Sequence, residues 1–525
     1  MTDVRLWTGG RIFTGRRYVE AVLVDGPTVT TAGTEAEVRR VAPTGTEVIP
    51  LEGRLALPGL IDAHLHLSDL TRFRAGLNLT GIRGLDDLLE TTRAWAAAHP
   101  TGPVIGRGLD VDRSLDGRWP LCNDLDRAVD DRPLVIYHTS GHAAMTNALA
   151  LAAAGVGSKS EDERRGRIGT MPDGTPNGIL YEEALRWLAP TLAGPVESDE
   201  MVRTLEFLGS FGLTTVVSMN VGAEELALLR TLASEDRSPL RTRVYVRLRD
   251  VEEIRRSDLS PIGPPGRFSV VGAKGFTDGA FGSRTAWLSE PYSDAPEGSG
   301  LAVESDETLS RSLAIADERG LAPALHAIGD RAVERASRLL TPYVPRTGAR
   351  ARVEHVGLTP PATLSVLNTV RPALVVQPGF VWSDSWLPER LGPERVRWAY
   401  AFRTLADLGH LLVGSSDAPY DPPDPWRGLR AATERRDELG RSANPDPREA
   451  LAIEEAVRLY GINAGEVLGE TTLGSLEAGS TADLVVVDAT SLGGAVRAGA
   501  PAVRETWVGG VRVFERSAAT PERSR

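Results

Sequence analysis

The sequence predicts an α/β protein, a (β/α)₈ TIM barrel with a small β-sandwich domain. Eight β-branched runs alternate with helical patterns through the middle of the chain, and β-rich segments of similar texture lie at both ends. Polar side chains gather at the ends of the eight runs, where barrel enzymes place their chemistry. At 525 residues the chain also exceeds the size that one core usually supports, so several domains are expected.

The order of these patterns sets the predicted domain boundaries. The eight barrel strands fall in LIDAHLHL, LTTVVSMN, RVYVRLR, SVVGAKGFTDG, APALHAIGD, ARVEHV, ALVVQPG and HLLVGSSDAP. Residues 57–100 and 201–467 are assigned to the barrel, and residues 1–56 and 468–516 to the sandwich. Residues 101–200 fit the eightfold pattern poorly, so we expect an insertion after the first strand that covers the barrel mouth as a lid or pocket wall. The polar segment 517–525 is expected to be a frayed tail.

Composition excludes several classes of function. The net charge of −12 argues against a nucleic-acid partner, because phosphate binding needs a basic surface, and a small-molecule substrate is expected instead. The single cysteine, Cys122, excludes an intrachain disulfide and a Cys-rich metal site. No segment approaches the roughly 20 apolar residues of a membrane span, and MTDVRLWTGG lacks the apolar run of a signal peptide. We therefore expect a cytoplasmic protein with no membrane partner.

The segment GLIDAHLHL, residues 59–67, places His64 and His66 two residues apart on a predicted strand. Both imidazoles would face the same side, as metal ligands do, although two polar residues without an ion would give the same pattern. Candidate ligands on four other strands are Lys274, His326, His355 and Asp417. Because strand ends converge in a closed barrel, we expect one site whose nitrogen and carboxylate atoms suit zinc or another divalent ion.

Lysine occurs only at positions 159 and 274, and every other basic residue is arginine. A lysine in such a chain indicates a position where arginine fails, because an amine can lose its proton and act as a nucleophile whereas a guanidinium stays protonated. Lys159 lies in a polar stretch to which we assign no function. Lys274 is a candidate for such chemistry, with a structural ion pair as the alternative.

Several motifs resemble the amidohydrolase superfamily of metal-dependent barrel hydrolases, namely GLIDAHLHL, LHAIGDRAV, RVEH and GSSDAP. The segments LVIYHTSGHAAMTNALAL, GTPNGILYEEAL and KGFTDGAFGSRTAWLSEPYSD are similar to amidohydrolase family 3, in its N-substituted formamide deformylase-like branch. The resemblance covers nearly the whole chain. It implies a metal-dependent hydrolase with a (β/α)₈ barrel, and it makes a homodimer an expectation.

The resemblance also implies a site with one or two divalent metals per chain. His64 and His66 would bind one metal, and His326 and His355 would bind a second or orient the substrate. Carbon dioxide would carboxylate Lys274 to a carbamate that bridges the metals. A metal lowers the pKa of bound water from about 16 towards 7. As general acid/base, Asp417 could then orient the metal-bound hydroxide, take its proton during attack on a carbonyl and return the proton to a departing amine.

The expected reaction is therefore hydrolysis of a carbon–nitrogen, amide-type bond of a small molecule. A deaminase, a cyclic-amide hydrolase or an ester hydrolase could use the same site. From another class, a non-catalytic binding or scaffold protein could have kept the barrel.

Five residues are candidates for substrate contact: His142, Asp278, Arg284, Phe380 and Trp382. Many family members carry a histidine after a Gln-Pro pair in the loop following the seventh strand, whereas this chain has QPGFVWSD with Phe380. This change bears on substrate contacts more than on metal binding. Nearby tryptophans would favour an apolar or aromatic substituent on the substrate, or they could simply pack the loop; they are Trp382, Trp386, Trp398 and Trp426. His142 could likewise face the pocket or be structural. Asp62, on the same strand alternation as the two histidines, is a candidate to support them.

Overall fold

The computed structural model describes residues 4–109, 111–138, 143–158, 168–188, 196–263, 266–282, 284–344 and 348–516. The chain divides into two compact units, Met1–Leu67 with Met201–Arg525, and Ser68–Glu200. Within the described ranges, no helix is both long and apolar enough to cross a membrane. The predicted tail, 517–525, lies outside the described residues.

Eight parallel strands form the barrel sheet of the first unit, and each overlaps one of the predicted segments. In chain order they are Leu60–Leu65, Leu213–Val221, Arg241–Arg247, Phe268–Phe276, Ala322–Ala327, Arg352–His355, Ala373–Val376 and Leu412–Gly414. Sheet neighbours follow the chain order from the first strand to the eighth. The predicted (β/α)₈ class is thereby confirmed, and the buried core includes Val217, Tyr245, Val375 and Val413.

Helices alternate with these strands. They are Ser198–Gly209, Ala223–Ser234, Asp306–Glu318, Asp330–Leu340, Pro361–Val370, Phe380–Ser383, Leu387–Arg395, Phe402–Asp407, Pro425–Glu434, Ile453–Leu459 and Ile462–Val467. Short 3₁₀ turns occupy Leu248–Asp250, Arg256–Leu259, Thr341–Tyr343, Val396–Trp398 and Pro447–Glu449. Helix Asp306–Glu318 begins at the N-cap Ser305, whose hydroxyl accepts from the amide of Thr308 at 3.1 Å. Helix Asp330–Leu340 buries Ala332, Val333, Ala336 and Leu340, an apolar stripe of helical period.

The two ends of the chain form a β-sandwich, as predicted. One sheet is ordered Thr28–Gly33, Ala21–Asp25, Val4–Thr8 and Glu47–Pro50, and the other Val511–Glu515, Val503–Val508, Leu484–Val487, Leu55–Pro58, Arg11–Phe13 and Tyr18–Val19. Helices Glu35–Val41 and Leu492–Ala498 and the 3₁₀ turn Ala500–Ala502 complete it. Trp7 of the first sheet packs edge to face on Trp507 of the second, with ring centroids 5.3 Å apart, so the sheets share one core.

The second unit has its own six-stranded sheet. Its strands are ordered Ile168–Thr170, Pro176–Tyr181, Ala143–Thr146, Leu134–His138, Val104–Leu109 and Leu77–Asn78. Its helices are Leu85–Ala98, Val111–Ser114, Cys122–Asp126 and Ala148–Ala153, with 3₁₀ turns at Val156–Ser158 and Glu182–Leu188. Helix Leu67–Ala75 begins at the last residue of the first unit and continues into the second. The unit begins at Ser68, whereas the predicted insertion spans residues 101–200. The difference arises because Leu88 and Leu89 of helix Leu85–Ala98 pack with Val104 and Ile136 of this sheet.

Candidate metal centre

The barrel brings the acid of strand eight against the histidines of strand one. His64 lies one residue before the end of the buried strand Leu60–Leu65 and His66 follows that strand, and their ring centroids are 5.5 Å apart. The nearer carboxylate oxygen of Asp417, Oδ1, lies 3.2 Å from Nε2 of each histidine. Two backbone hydrogen bonds set this arrangement, from the amide of Asp417 to the carbonyl of His64 and from the amide of His66 to the carbonyl of Ala418, both 2.8 Å long.

Two residues of the cluster have a left-handed backbone conformation. The φ angle is +74° at His355 and +61° at Asp417, a region that side-chain-bearing residues seldom adopt. Regular strand geometry would direct His355 away from the face that carries Glu354. The turn at His355 instead places its ring 4.9 Å from that of His64 and 4.4 Å from that of His326, centroid to centroid. Backbone strain of this kind is typical of functional sites.

Hydrogen bonds fix which nitrogen of each remaining ring carries a proton. His355 donates from Nδ1 to Oε1 of Gln377 at 2.8 Å, and the Gln377 amide in turn donates to the hydroxyl of Ser415 at 3.0 Å. His326 donates from Nε2 to the carbonyl of Gly279 at 2.8 Å. Burial is the main cause that lowers the pKa of His326 to about 3 and holds the pKa of His355 well below its usual range. Both rings are therefore neutral and keep one nitrogen as a potential ligand.

Lys274 is the buried cation of the cluster. It is 2% exposed, and within the described residues its Nζ has no hydrogen-bond partner. Burial lowers its pKa to about 8, against the opposing charges of Glu354 and Asp417. An amine with this pKa loses its proton more readily near neutral pH than an ordinary lysine, which a guanidinium could not do.

The donor atoms fit a divalent metal ion. His64 donates from Nδ1 to Glu354 at 2.6 Å, which leaves Nε2 as the nitrogen that faces Asp417. That Nε2 and Asp417 Oδ1 are buried and have no hydrogen-bond partner in the described parts of the chain. A cation bound between these two atoms would interact favourably with both. One ligand atom each from His64, His355 and Asp417 lies within 4.8 Å of the others, and this donor set suits zinc or a related divalent ion.

Electrostatics hold Asp417 in its ionised form. Burial alone would raise the pKa of its carboxyl, but the interactions with His64, His66 and His355 outweigh burial and hold the pKa well below the usual range. A carboxylate that stays ionised can bind a cation and can accept a proton from a substrate.

Two further aspartates brace the strand ends. Asp62 accepts hydrogen bonds from the amides of His64 and Ser416, at 3.2 and 3.0 Å, and so ties strand one to strand eight. Asp278 accepts from the amides of Trp287, Ile328 and Gly329 at 2.8–3.0 Å. Burial raises the pKa of Asp62 to about 6 and that of Asp278 to about 7. Asp278 thus holds the loop after strand four, and its contact with substrate stays a prediction.

The other residues predicted to contact substrate have protein neighbours of their own in the structure. Arg284 pairs with Asp294 through two bonds of 3.2 and 2.7 Å. The ring of Phe380 lies 6.4 Å from that of Tyr400, and Trp382 is buried with the guanidinium groups of Arg427 and Arg430 5.6 and 5.5 Å from its ring. Their roles towards a substrate stay predictions. His142 lies outside the described residues.

Sequence reasoning missed three residues at this site: Glu354, Gln377 and Tyr420. Glu354 lies directly before His355 in the motif RVEH, and its contact with His64 crosses the barrel, so no local pattern reveals it. Gln377 was noted only as part of a Gln-Pro pair. Tyr420 is 69% exposed, and its ring packs edge to face on His66 with centroids 5.5 Å apart. Its position three residues after Asp417 was the available signal.

A barrel with histidines, a lysine and an aspartate gathered at its strand ends defines the class of metal-dependent hydrolases. The sequence profile described as Amidohydrolase family (Amidohydro_3) matches residues 47–514. The chain therefore belongs to the amidohydrolase family and is a hydrolase, as the motifs indicated.

Individual relatives agree with this assignment. The chain is 30% identical to the putative amidohydrolase YtcJ of Bacillus subtilis (strain 168) over 501 residues, 92% of this chain and 94% of that protein. It is 26% identical to N-substituted formamide deformylase of Arthrobacter pascens over 505 residues, 89% of this chain and 90% of that protein. The crystal structure of an uncharacterized metal-dependent hydrolase from Pyrococcus horikoshii OT3 superposes with a TM-score of 0.77 at 29% identity, covering 93% of this chain and 97% of that one.

Proposed function

We propose that this protein hydrolyses the carbon–nitrogen bond of a small amide, with an N-substituted formamide as the leading substrate class. The observation that carries the proposal is the buried pair of Nε2 of His64 and Oδ1 of Asp417, 3.2 Å apart and without a hydrogen-bond partner in the described residues, which supports a cation site beside a carboxylate that can move protons. The similarity to N-substituted formamide deformylase of Arthrobacter pascens supports the choice of bond.

His64, His66, His326, His355 and Asp417 would hold one or two divalent ions, zinc being the first candidate. When bound, such an ion polarises a carbonyl oxygen and makes water a stronger nucleophile at neutral pH. His326 and His355 reach this role as neutral rings, because their protonated nitrogens already donate to Gly279 and Gln377.

Asp417 handles the proton of the reaction. Water adds to the carbonyl carbon, and the carboxylate of Asp417 takes the proton that the water loses. The carbon–nitrogen bond then breaks, and Asp417 returns the proton to the nitrogen of the departing amine. Its ionised state in the resting protein and its fixed backbone suit both steps.

Lys274 would act as a carbamate. Its neutral amine forms a nitrogen–carbon bond to carbon dioxide and releases one proton, which leaves an anionic oxygen ligand in place of a cation. The buried Nζ without a hydrogen-bond partner in the described chain supports this proposal, and so does the lowered pKa of the amine. A positive ammonium group beside a divalent ion would oppose its binding.

The test combines metal analysis with a substrate panel. Protein purified without chelators is expected to contain one or two equivalents of a divalent ion by plasma mass spectrometry, and chelation should abolish turnover that added zinc restores. Release of amine from N-aryl and N-alkyl formamides is then compared with hydrolysis of cyclic ureides and aryl esters. If the protein hydrolyses only ureides or esters, the proposed substrate bond is wrong, but the proposed metal site stands. A protein that takes up no divalent ion at neutral pH would exclude metal-dependent hydrolysis.

A further inference from the structure

An ion pair fills the barrel interior beneath the candidate metal centre. Arg352 and Glu354 alternate on strand six and are completely buried. Barrels of this class normally fill their interior with branched apolar side chains. A buried ion pair seldom stabilises a protein more than well-packed apolar residues would, so its presence calls for another role.

Two nitrogens of the Arg352 guanidinium donate to the two carboxylate oxygens of Glu354. Its Nε lies 2.5 Å from Oε1 and its Nη2 lies 3.0 Å from Oε2. The ring of Tyr245, on strand three, lies 4.5 Å from the guanidinium carbon. This bidentate pairing fixes the plane of the carboxylate and commits it to accepting hydrogen bonds.

The pair reaches across the barrel and holds strand one at two successive residues. Strand six pairs with strands five and seven, whereas strand one pairs with strand two. Even so, Arg352 Nη2 donates to the carbonyl of Ala63 at 2.7 Å, and Glu354 Oε2 accepts from Nδ1 of His64 at 2.6 Å. The backbone before His64 and the ring of His64 are therefore positioned by one unit.

The contact with Glu354 determines which nitrogen of His64 is available as a ligand. Because an ionised carboxylate can only accept, Nδ1 of His64 must carry the proton. Nε2 is then the nitrogen that faces Asp417 Oδ1 at 3.2 Å. With the other tautomer, the ring would present an N–H group to the centre and could not bind a metal through that atom.

We propose that Arg352 and Glu354 form a positioning pair that holds His64 in its Nδ1–H tautomer and thereby sets the affinity of the centre for a divalent metal ion. The proposal rests on the proposed metal-dependent function. Carboxylate partners of metal-binding histidines typically contribute about 10–100-fold in metal affinity.

The decisive variant is Glu354→Gln in the full-length protein, tested for Zn²⁺ affinity by competition with a chromogenic chelator. Arg352 would engage the single amide oxygen, so the NH₂ group would face Nδ1 of His64 and favour the wrong tautomer. We expect about 10–100-fold weaker zinc binding. The matched control is Asp483→Asn, which breaks another buried bidentate pair, with Arg241, whose bonds are 3.0 and 3.1 Å long. It should lower the melting temperature and leave zinc affinity unchanged.

A double variant separates positioning from folding. Arg352→Met combined with Glu354→Leu removes both charges of the pair together, so the melting temperature should recover relative to Glu354→Gln. Zinc affinity should stay weak, because nothing accepts from Nδ1 of His64. Recovery of zinc affinity together with the melting temperature would reduce the pair to a structural role and overturn the proposal.

The outcomes also distinguish this proposal from the proposed function. Wild-type protein that binds zinc, alongside a Glu354→Gln variant that binds it equally well, overturns the positioning role alone. Equal weakening by Glu354→Gln and Asp483→Asn does the same, because the effect would then follow from general destabilisation. Wild-type protein that binds no zinc overturns both.

Discussion

The backbone amide of Asp417 donates to the carbonyl oxygen of His64 at 2.8 Å. This bond joins the last strand of the barrel to the first, and it places the side chains of both residues at the same end. The position of the Asp417 carboxylate is therefore set by a main-chain bond between the segment after strand eight and strand one. Because the bond is formed by main-chain atoms, we expect it to persist when the Asp417 side chain is changed conservatively.

Asp417→Asn is expected to lower kcat/KM by about 10²–10⁴-fold, because an amide cannot take and return a proton. Asparagine preserves the size of the side chain and leaves the backbone bond to His64 intact, so the melting temperature should change little. The matched control is Asp407→Asn, an aspartate that is 67% exposed at its side chain and pairs with Arg403 at 2.7 Å. The assignment of Asp417 fails if the variant turns over like the wild type.

The two lysines of the chain allow a direct test of carbamate formation. In protein incubated with ¹³C-labelled bicarbonate, the ¹³C spectrum is expected to show one carbamate signal that disappears in Lys274→Arg and persists in Lys159→Arg. Lys274→Arg should also bind less metal, because a guanidinium keeps its charge and cannot add to carbon dioxide. If the signal survives in Lys274→Arg, the carbamate lies elsewhere, and normal activity in that variant would exclude the proposed role.

The barrel was predictable because its signals are local. Each strand shows as an apolar β-branched run, and candidate ligands such as His64 and His326 lie in one, so convergence of the strand ends brings them together without further information. The arrangement of these residues as a site depends on long-range contacts that no short stretch of sequence reveals. The contact from Glu354 to His64 spans 290 positions of the sequence, and the left-handed turn at His355 arises from tertiary structure.

The start of the inserted unit could not be predicted from the sequence, because it also depends on packing between distant residues. Helix Leu85–Ala98 follows the first strand with the pattern of any barrel helix, and only its packing partners assign it to the other unit. Substrate contact is harder still to predict. Aromatic residues such as Trp382 and Tyr420 look alike in sequence, yet one is buried beside arginines and the other is exposed beside His66.

Tyr420 is expected to discriminate among substrates. Its exposed ring beside His66 offers an apolar surface to the nitrogen substituent of a bound amide, and an aromatic pair contributes about 0.5–1.5 kcal/mol beyond burial. Tyr420→Ala should therefore raise KM for N-aryl substrates by about two- to tenfold, with a smaller effect on N-methyl ones. Tyr420→Phe should keep the wild-type preference.

Zinc content is measured in the same preparations, because loss of metal would mimic loss of substrate binding. Tyr18→Ala is the control, an exposed tyrosine of the sandwich that stacks under Arg11. An unchanged ratio of kcat/KM between N-aryl and N-methyl substrates in Tyr420→Ala would show that the ring does not contact the substituent.

His410 is expected to make folding sensitive to mild acid. Its side chain is 7% exposed, with Nε2 3.1 Å from Oδ1 of Asn368, and burial lowers its pKa to about 4 from an unfolded value of about 6.5. At a pH between these two pKa values, His410 is protonated in the unfolded chain and neutral in the folded chain. The stabilisation is therefore complete above about pH 6.5 and is lost as the pH falls towards about 4. Urea unfolding across this range should show a shallower decline for His410→Gln than for the wild type. Parallel curves for the two proteins would mean that His410 does not contribute, since other buried histidines remain in both.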